Sequence, residues 1–143
     1  MSTTFSICLW DNKALEMPAY YQRIFDDFKL VSESPIAVVF EIAGVRIMGL
    51  THAVPEMKFN AKISLVLTVE NQEDLDKYWN YFTAEGKAGQ CGWLEDKYGV
   101  SWQIVPAVLG ELMSNPKTVG SVSSVMMKMS KLVISELVEA SNE

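Results

Sequence analysis

The sequence predicts a single α+β domain made of two related halves, each with strands and one helix, closed by a C-terminal helix. Three observations carry this. Short β-rich runs flank a helical-period segment in about residues 1–54 and again in 60–106. Turn pairs such as Ala43-Gly44 and Tyr98-Gly99 separate the strand runs. A broad apolar stripe fills the end of an extension over 107–143. At 143 residues the chain fits one domain. A chain of that size buries about 68–70% of its unfolded surface and needs no staple.

Phe5 to Trp10 reads as a strand, and Asp11 or Asn12 can cap the helix after it. Leu15, Tyr20 or Tyr21, Ile24 and Phe28 keep a helical period. Pro18 is tolerated only in a first turn, so the helix is centred on Pro18 to Phe25. Lys29 to Ser34 is irregular or a short edge strand, ended by Pro35. Ile36–Ile42 and Val45–Leu50 form a hairpin across Ala43-Gly44. Thr51 to Lys62, with Pro55 and Asn60 and no period, connects the halves.

Ile63 to Val69 is the clearest strand. Asn71 caps the next helix, with Asp74 three residues on, and Leu75, Tyr78, Trp79 and Phe82 form its apolar face. That helix stops before Gly86. Gly86, Gly89 and Gly92 mark a looped approach to Cys91–Glu95, Asp96 to Gly99 is a turn, and Ser101–Val105 returns as a strand ended by Pro106. Leu109 to Met113 makes one helical turn, broken at Asn115-Pro116. Val122 to Val138 then reads as one helix, its stripe wide enough to cover the domain or a partner subunit.

The formal charge is −6, and no Lys/Arg cluster exists to displace counterions, so a nucleic-acid partner is not expected. No apolar run approaches the ~18 residues of a membrane span. Met1 to Ile7 lacks the basic region of a targeting signal, which points to the cytoplasm. Cys8 and Cys91 read as small unpaired strand residues, with no CxxC.

Strand alternation sorts side chains by face. Phe5, Ile7 and Leu9 oppose Ser6, Cys8 and Trp10; Ile63, Leu65, Leu67 and Val69 oppose Ser64, Val66 and Thr68; Ser101, Gln103 and Val105 oppose Trp102 and Ile104. One face is aliphatic and wants helices; the other carries small polar groups, either lining a concavity or bonded within the sheet.

Ser6-Ile7-Cys8-Leu9-Trp10, Ala19-Tyr20-Tyr21, Lys58 to Ser64 and above all Gly92-Trp93-Leu94-Glu95-Asp96-Lys97-Tyr98-Gly99-Val100-Ser101-Trp102-Gln103-Ile104-Val105-Pro106 carry a resemblance. The chain resembles the PhnB-like branch of the glyoxalase/bleomycin-resistance/extradiol-dioxygenase (vicinal oxygen chelate) superfamily. Members of that branch often bear the label 3-demethylubiquinone-9 3-methyltransferase domain. The resemblance implies paired βαβββ modules forming an incomplete barrel around a cleft, in a homodimer.

Metal-using members of the group place His, Glu or Gln on inward strand positions. The matching positions here are Ser6, Ser64 and Gln103, with Met48 near the fourth. Neutral hydroxyls, a thioether and one amide are a poor set for a divalent ion, so neither a metal nor another cofactor is expected. The only histidine, His52, falls in the connector as an exposed polar residue. S-adenosylmethionine of the common kind would want a glycine-rich strand-to-helix turn, and Gly86, Gly89 and Gly92 come after a helix instead. Glu41, Glu56, Glu95 and Asp96 could act as bases within a cleft, although Glu95 and Asp96 sit beside a turn and read as solvated, and Lys97 and Tyr98 as turn residues.

No reaction is specified by these residues. The leading expectation is a metal-free protein that binds a small, partly aromatic or apolar molecule through Trp10, Ser64, Thr68, Ser101 and Gln103. Two alternatives stand beside it: an enzyme, either the methyltransferase of the family label or an isomerase or lyase, and a structural or interaction dimer.

Overall fold

The computed structural model describes residues 2–142. They fall into two compact units, Met1–Lys58 and Phe59–Glu143, each built on one open four-stranded sheet. The expected α+β class is present, and neither sheet closes on itself.

In the first unit, β1 (Ile7–Trp10) lies parallel to β4 (Val45–Leu50), and β3 (Ala37–Ile42) and β2 (Phe28–Glu33) continue the sheet antiparallel. A 3-10 turn (Ala14–Glu16) leads into α1 (Met17–Gln22), with Pro18 in its first turn as its missing N–H requires. Ala14, Met17, Tyr20 and Tyr21 are buried, and Tyr21 stacks on Phe40 of β3 at 5.9 Å. The hairpin turn has Ala43 at φ 50° and Gly44 at φ 82°, the pair of left-handed residues that matches strand twist.

One expectation in this unit needs correction. The first strand starts at Ile7, and Phe5 is 90% exposed rather than on the aliphatic face. Of the two readings of Lys29 to Ser34 the edge strand holds: β2 takes six residues, Phe28–Glu33, at the sheet edge, with a register shift between Leu30 and Ser32. Ser34 then closes the link to β3, its Oγ accepting from the N–H groups of Ile36 and Ala37 across Pro35.

The second unit repeats the order. β5 (Leu65–Val69) lies parallel to β8 (Ser101–Pro106), followed by antiparallel β7 (Trp93–Glu95) and the two-residue β6 (Lys87–Ala88). Between them runs α2 (Gln72–Glu85). Asn71 caps it, its side chain accepting from Asp74 N–H at 2.8 Å. Leu75, Trp79 and Phe82 are buried, and Phe82 stacks on Trp102 with centroids 4.9 Å apart. A β-carbon on Gly86 would stand 2.0 Å from the Glu95 carbonyl oxygen, so only glycine lets α2 turn into β6 there. The strand expected from Ile63 begins instead at Leu65, and Ile63 is 76% exposed.

The C-terminal segment differs most from expectation. The Leu109–Met113 turn is a two-turn helix, α3 (Ala107–Ser114). The single helix expected over Val122–Val138 is two, α4 (Val119–Met126) and α5 (Ile134–Ala140). Tertiary hydrogen bonds break it. The Met129 and Ser130 carbonyls accept from Cys91 and Gly92 N–H, each at 2.8 Å, in the left-handed turn before β7. Leu132 is fully buried, close to Gly92, where an added β-carbon would meet its side chain at 3.0 Å. This segment therefore packs within its own chain.

Candidate functional site

The strand registers assign the faces of the second sheet. Leu65, Leu67, Val69, Trp102, Ile104 and Leu94 share the face that carries the buried side chains of α2. Val66, Thr68, Gln103, Val105 and Trp93 share the opposite face, where Val66 is 57% exposed. Gln103 sits between Val66 on β5 and Trp93 on β7.

On that open face Gln103 Nε2 donates to Ser64 Oγ at 3.0 Å, just before β5 begins. The bond uses one of the two Nε2 hydrogens, and the second N–H and the Oε1 carbonyl keep their capacity to donate and to accept. Beside it lies a groove of about 340 Å³, with Val66, Thr68, Gln103 and Val105 from the sheet and Pro106, Leu109 and Met113 along its other side. None of its lining side chains is ionisable.

A second cavity of about 350 Å³ lies toward the β6–β7 edge, lined by Lys87, Trp93, Glu95 and Ser101 among others. Ser101 stands there rather than in the first groove and is itself buried. Thr68 and Gln103 thus share one groove, with Ser64 bonded to Gln103, and Ser101 falls in the other.

Trp10 belongs to the first unit. It is 37% exposed, and its Nε1 donates to the Thr51 carbonyl at 2.9 Å. Met48 is half-buried on the same sheet, opposite Cys8, while Ser6 is exposed and precedes β1. On the same sheet Arg46 and Glu41 are cross-strand partners bonded at 2.9 Å.

Asp96 corrects a sequence expectation. Read as solvated, it is 2% exposed and organises the β7–β8 turn. Its carboxylate accepts from Tyr98 N–H at 2.9 Å, Val100 N–H at 3.1 Å and Trp102 Nε1 at 2.9 Å. A buried carboxylate is tolerable when such donors satisfy it, which makes Asp96 a structural group. The signal was available in part, because Asp two residues before a turn N–H is a common local bond. The groove residues Leu109 and Met113 were harder to find, since their place depends on where α3 begins.

Among the described residues no three His, Cys, Asp or Glu side chains gather to hold a metal. The four positions that the resemblance pairs with metal ligands do not supply one either. Ser6 and Met48 offer a neutral hydroxyl and a thioether, and Ser64 and Gln103 are bonded to each other. A divalent ion wants at least one anionic or imidazole donor, and this set has none. Both cysteines are free, and desolvation pushes the Cys8 thiol above its ordinary 9.0.

Paired sheets, each with its first strand parallel beside its last and a helix between them, are those of the vicinal oxygen chelate superfamily. Within it, the chain belongs to the 3-demethylubiquinone-9 3-methyltransferase family, whose sequence model matches residues 3–105. Among solved structures it is similar to the PhnB protein from Bacillus cereus, at 26% identity and TM-score 0.65, over 73% of this chain and 100% of that one. The protein PA1353 from Pseudomonas aeruginosa shares the fold at 14% identity and TM-score 0.62, over 73% and 98% of the two chains. The fosfomycin resistance protein FosX from Listeria monocytogenes, solved with Mn(II) and sulfate, does so at 17% and 0.60, over 80% and 97%. No curated protein matches the chain. No helix among the described residues is long and apolar enough to cross a membrane.

Proposed function

We propose that this chain binds a small organic molecule, without a metal, in the groove between the open face of β5–β8 and α3. One observation carries the reading: a side-chain amide bonded to Ser64 lines a groove with otherwise mostly apolar walls. Sites for small molecules are commonly built so, with apolar walls and a few placed polar groups. At about 340 Å³ the groove is at the small end of such sites. Gln103 and Thr68 contact the ligand, and Ser64 positions Gln103.

The Mn(II) named with the Listeria protein has no counterpart in this reading, because Ser6, Met48, Ser64 and Gln103 lack an anionic or imidazole donor. The family name carries methyl transfer. The groove gives a charged methyl donor no partner, so we assign it binding and not transfer.

A fragment screen by ligand-observed NMR tests this. Fragments that bind saturably to the wild type should be lost from Val66→Trp, which fills the groove, and weakened in Gln103→Ala, with Tm maintained. A silent screen, or hits indifferent to both changes, would refute the site. Saturable calorimetric binding of S-adenosylmethionine, abolished by Val66→Trp, would favour the methyltransferase reading over this one.

A further inference from the structure

With the groove taken as the binding site, we infer that Gly110 is a specificity-determining residue: its missing side chain leaves the room between α3 and the sheet that a ligand occupies. Glycine is the least favourable residue after proline in a helix interior, and Gly110 stands in the middle of α3. Six of the eight glycines have a structural reason, either a left-handed φ or a close neighbour to an added β-carbon. Gly110 and Gly120 have neither, since a β-carbon on either would meet nothing within 4 Å. The two differ in place. Gly110 lines the groove, on the α3 face that Pro106, Leu109 and Met113 share at helical spacing, whereas Gly120 on α4 lines neither cavity. Core packing does not demand a glycine either, because no residue of α3 is buried.

The wall that carries Gly110 is tied at both ends. Pro106, from which α3 continues, is buried and paired with Val69 in the sheet. At the other end Thr118 Oγ1 donates to the Leu112 carbonyl at 2.6 Å, and Ser123 Oγ donates to the Met113 sulfur at 3.8 Å. A side chain at position 110 would therefore take its volume from the groove instead of pushing the helix outward. This wall also lies beyond residues 3–105, the segment that the family model matches. The floor of the groove thus comes from the matched modules and its width from the segment that follows them.

The test sets stability against binding in the whole chain and its variants Gly110→Ala, Gly110→Leu and Gly120→Leu. Phenol and indole, which differ by one ring, are titrated by NMR beside the saturable hits of the fragment screen. Both changes at Gly110 should raise Tm, by roughly 2–4 °C, as relief of a helical glycine does. Gly110→Leu should nevertheless weaken indole by roughly tenfold or more, the scale of an overpacked site, and phenol by less, with Gly110→Ala in between. Gly120→Leu should bind as the wild type does. A gain in stability with a loss of binding is what a merely structural glycine would not give. A Tm lowered by Gly110→Ala, or binding unchanged in Gly110→Leu, would overturn the role of Gly110. If Val66→Trp still abolishes that binding, the groove itself stands. Probes and hits that saturate on no form of the chain would overturn both.

Discussion

Gln103 and Ser64 are joined side chain to side chain at 3.0 Å across the open face of the second sheet, thirty-nine residues apart in the chain. The serine anchors the Gln103 side chain beside the groove. Ser64→Ala should therefore leave the fold intact and weaken binding of a fragment-screen hit by roughly threefold to tenfold, the cost of freeing the Gln103 side chain. Thermal melts and titration of the same sample check both halves of this. A loss of binding matched by a collapse in Tm would mean that Ser64 is structural instead.

Asp96 is the second relationship of consequence. In Asp96→Asn one oxygen can still accept from Tyr98 and Val100, but the amide N–H would face the Trp102 Nε1 donor. The expected loss is about 1.5–3 kcal/mol, as for a hydrogen bond to a charged group. Urea denaturation of Asp96→Asn, Trp102→Phe and the double variant measures it, the double costing clearly less than the sum of the singles.

Gln72 ties α2 to the strap between α4 and α5. Its Nε2 donates to the Leu132 carbonyl at 3.0 Å and its Oε1 accepts from Ile134 N–H at 2.7 Å. Gln72→Ala should cost about 1–3 kcal/mol, for two part-buried backbone groups left unmade. Exchange of the Cys91 and Gly92 amide protons, which the strap carbonyls hold, should quicken with it.

The same side chain gives a pH dependence. Gln72 donates to Asp76 at 2.9 Å, and that bond, ahead of Lys131 at 3.0 Å, holds the Asp76 carboxyl below its ordinary 3.8. A carboxyl depressed on folding contributes stability that is fully present above its unfolded value and is lost as pH falls through the folded one. The stability gap between wild type and Gln72→Ala should accordingly be constant from pH 7 to 5 and narrow below pH 3.8. Urea midpoints at pH 7 and pH 3 test the sign, and a gap that widens in acid would contradict it.

Backbone strain gives a stabilising prediction. Ala43 is exposed with φ 50°, a conformation that costs an alanine on the order of 1 kcal/mol and that asparagine adopts readily. Ala43→Asn should raise stability by about 0.5–1 kcal/mol, seen as a higher urea midpoint with an unchanged slope. Gly86→Ala is its opposite, because the new carbon meets two carbonyl oxygens, Glu95 at 2.0 Å and Phe82 at 2.6 Å.

Much of the fold was legible because local signals agreed with it. Asn71 capped its helix through Asp74, Ala43-Gly44 turned its hairpin, and strand alternation put Ser64, Thr68 and Gln103 opposite the helix-bearing face. What failed was decided by partners distant in sequence. The stripe from Val122 to Val138 keeps a helical period, yet Cys91, Gly92 and Gln72 claim the carbonyls that a continuous helix would use. Asp96 looked like a turn residue because no local pattern shows that Trp102 reaches back to it. The groove was half legible: its polar floor follows from alternation, while its α3 wall depends on how Pro106 ends β8.

The most direct test of the binding claim is a two-dimensional amide and methyl NMR titration with a saturable hit of the fragment screen. Shifts should concentrate on Val66, Thr68, Gln103, Val105, Leu109 and Met113 and saturate with a single constant. Shifts centred on Lys87, Trp93 and Ser101 at the other cavity, or none that saturate, would contradict it.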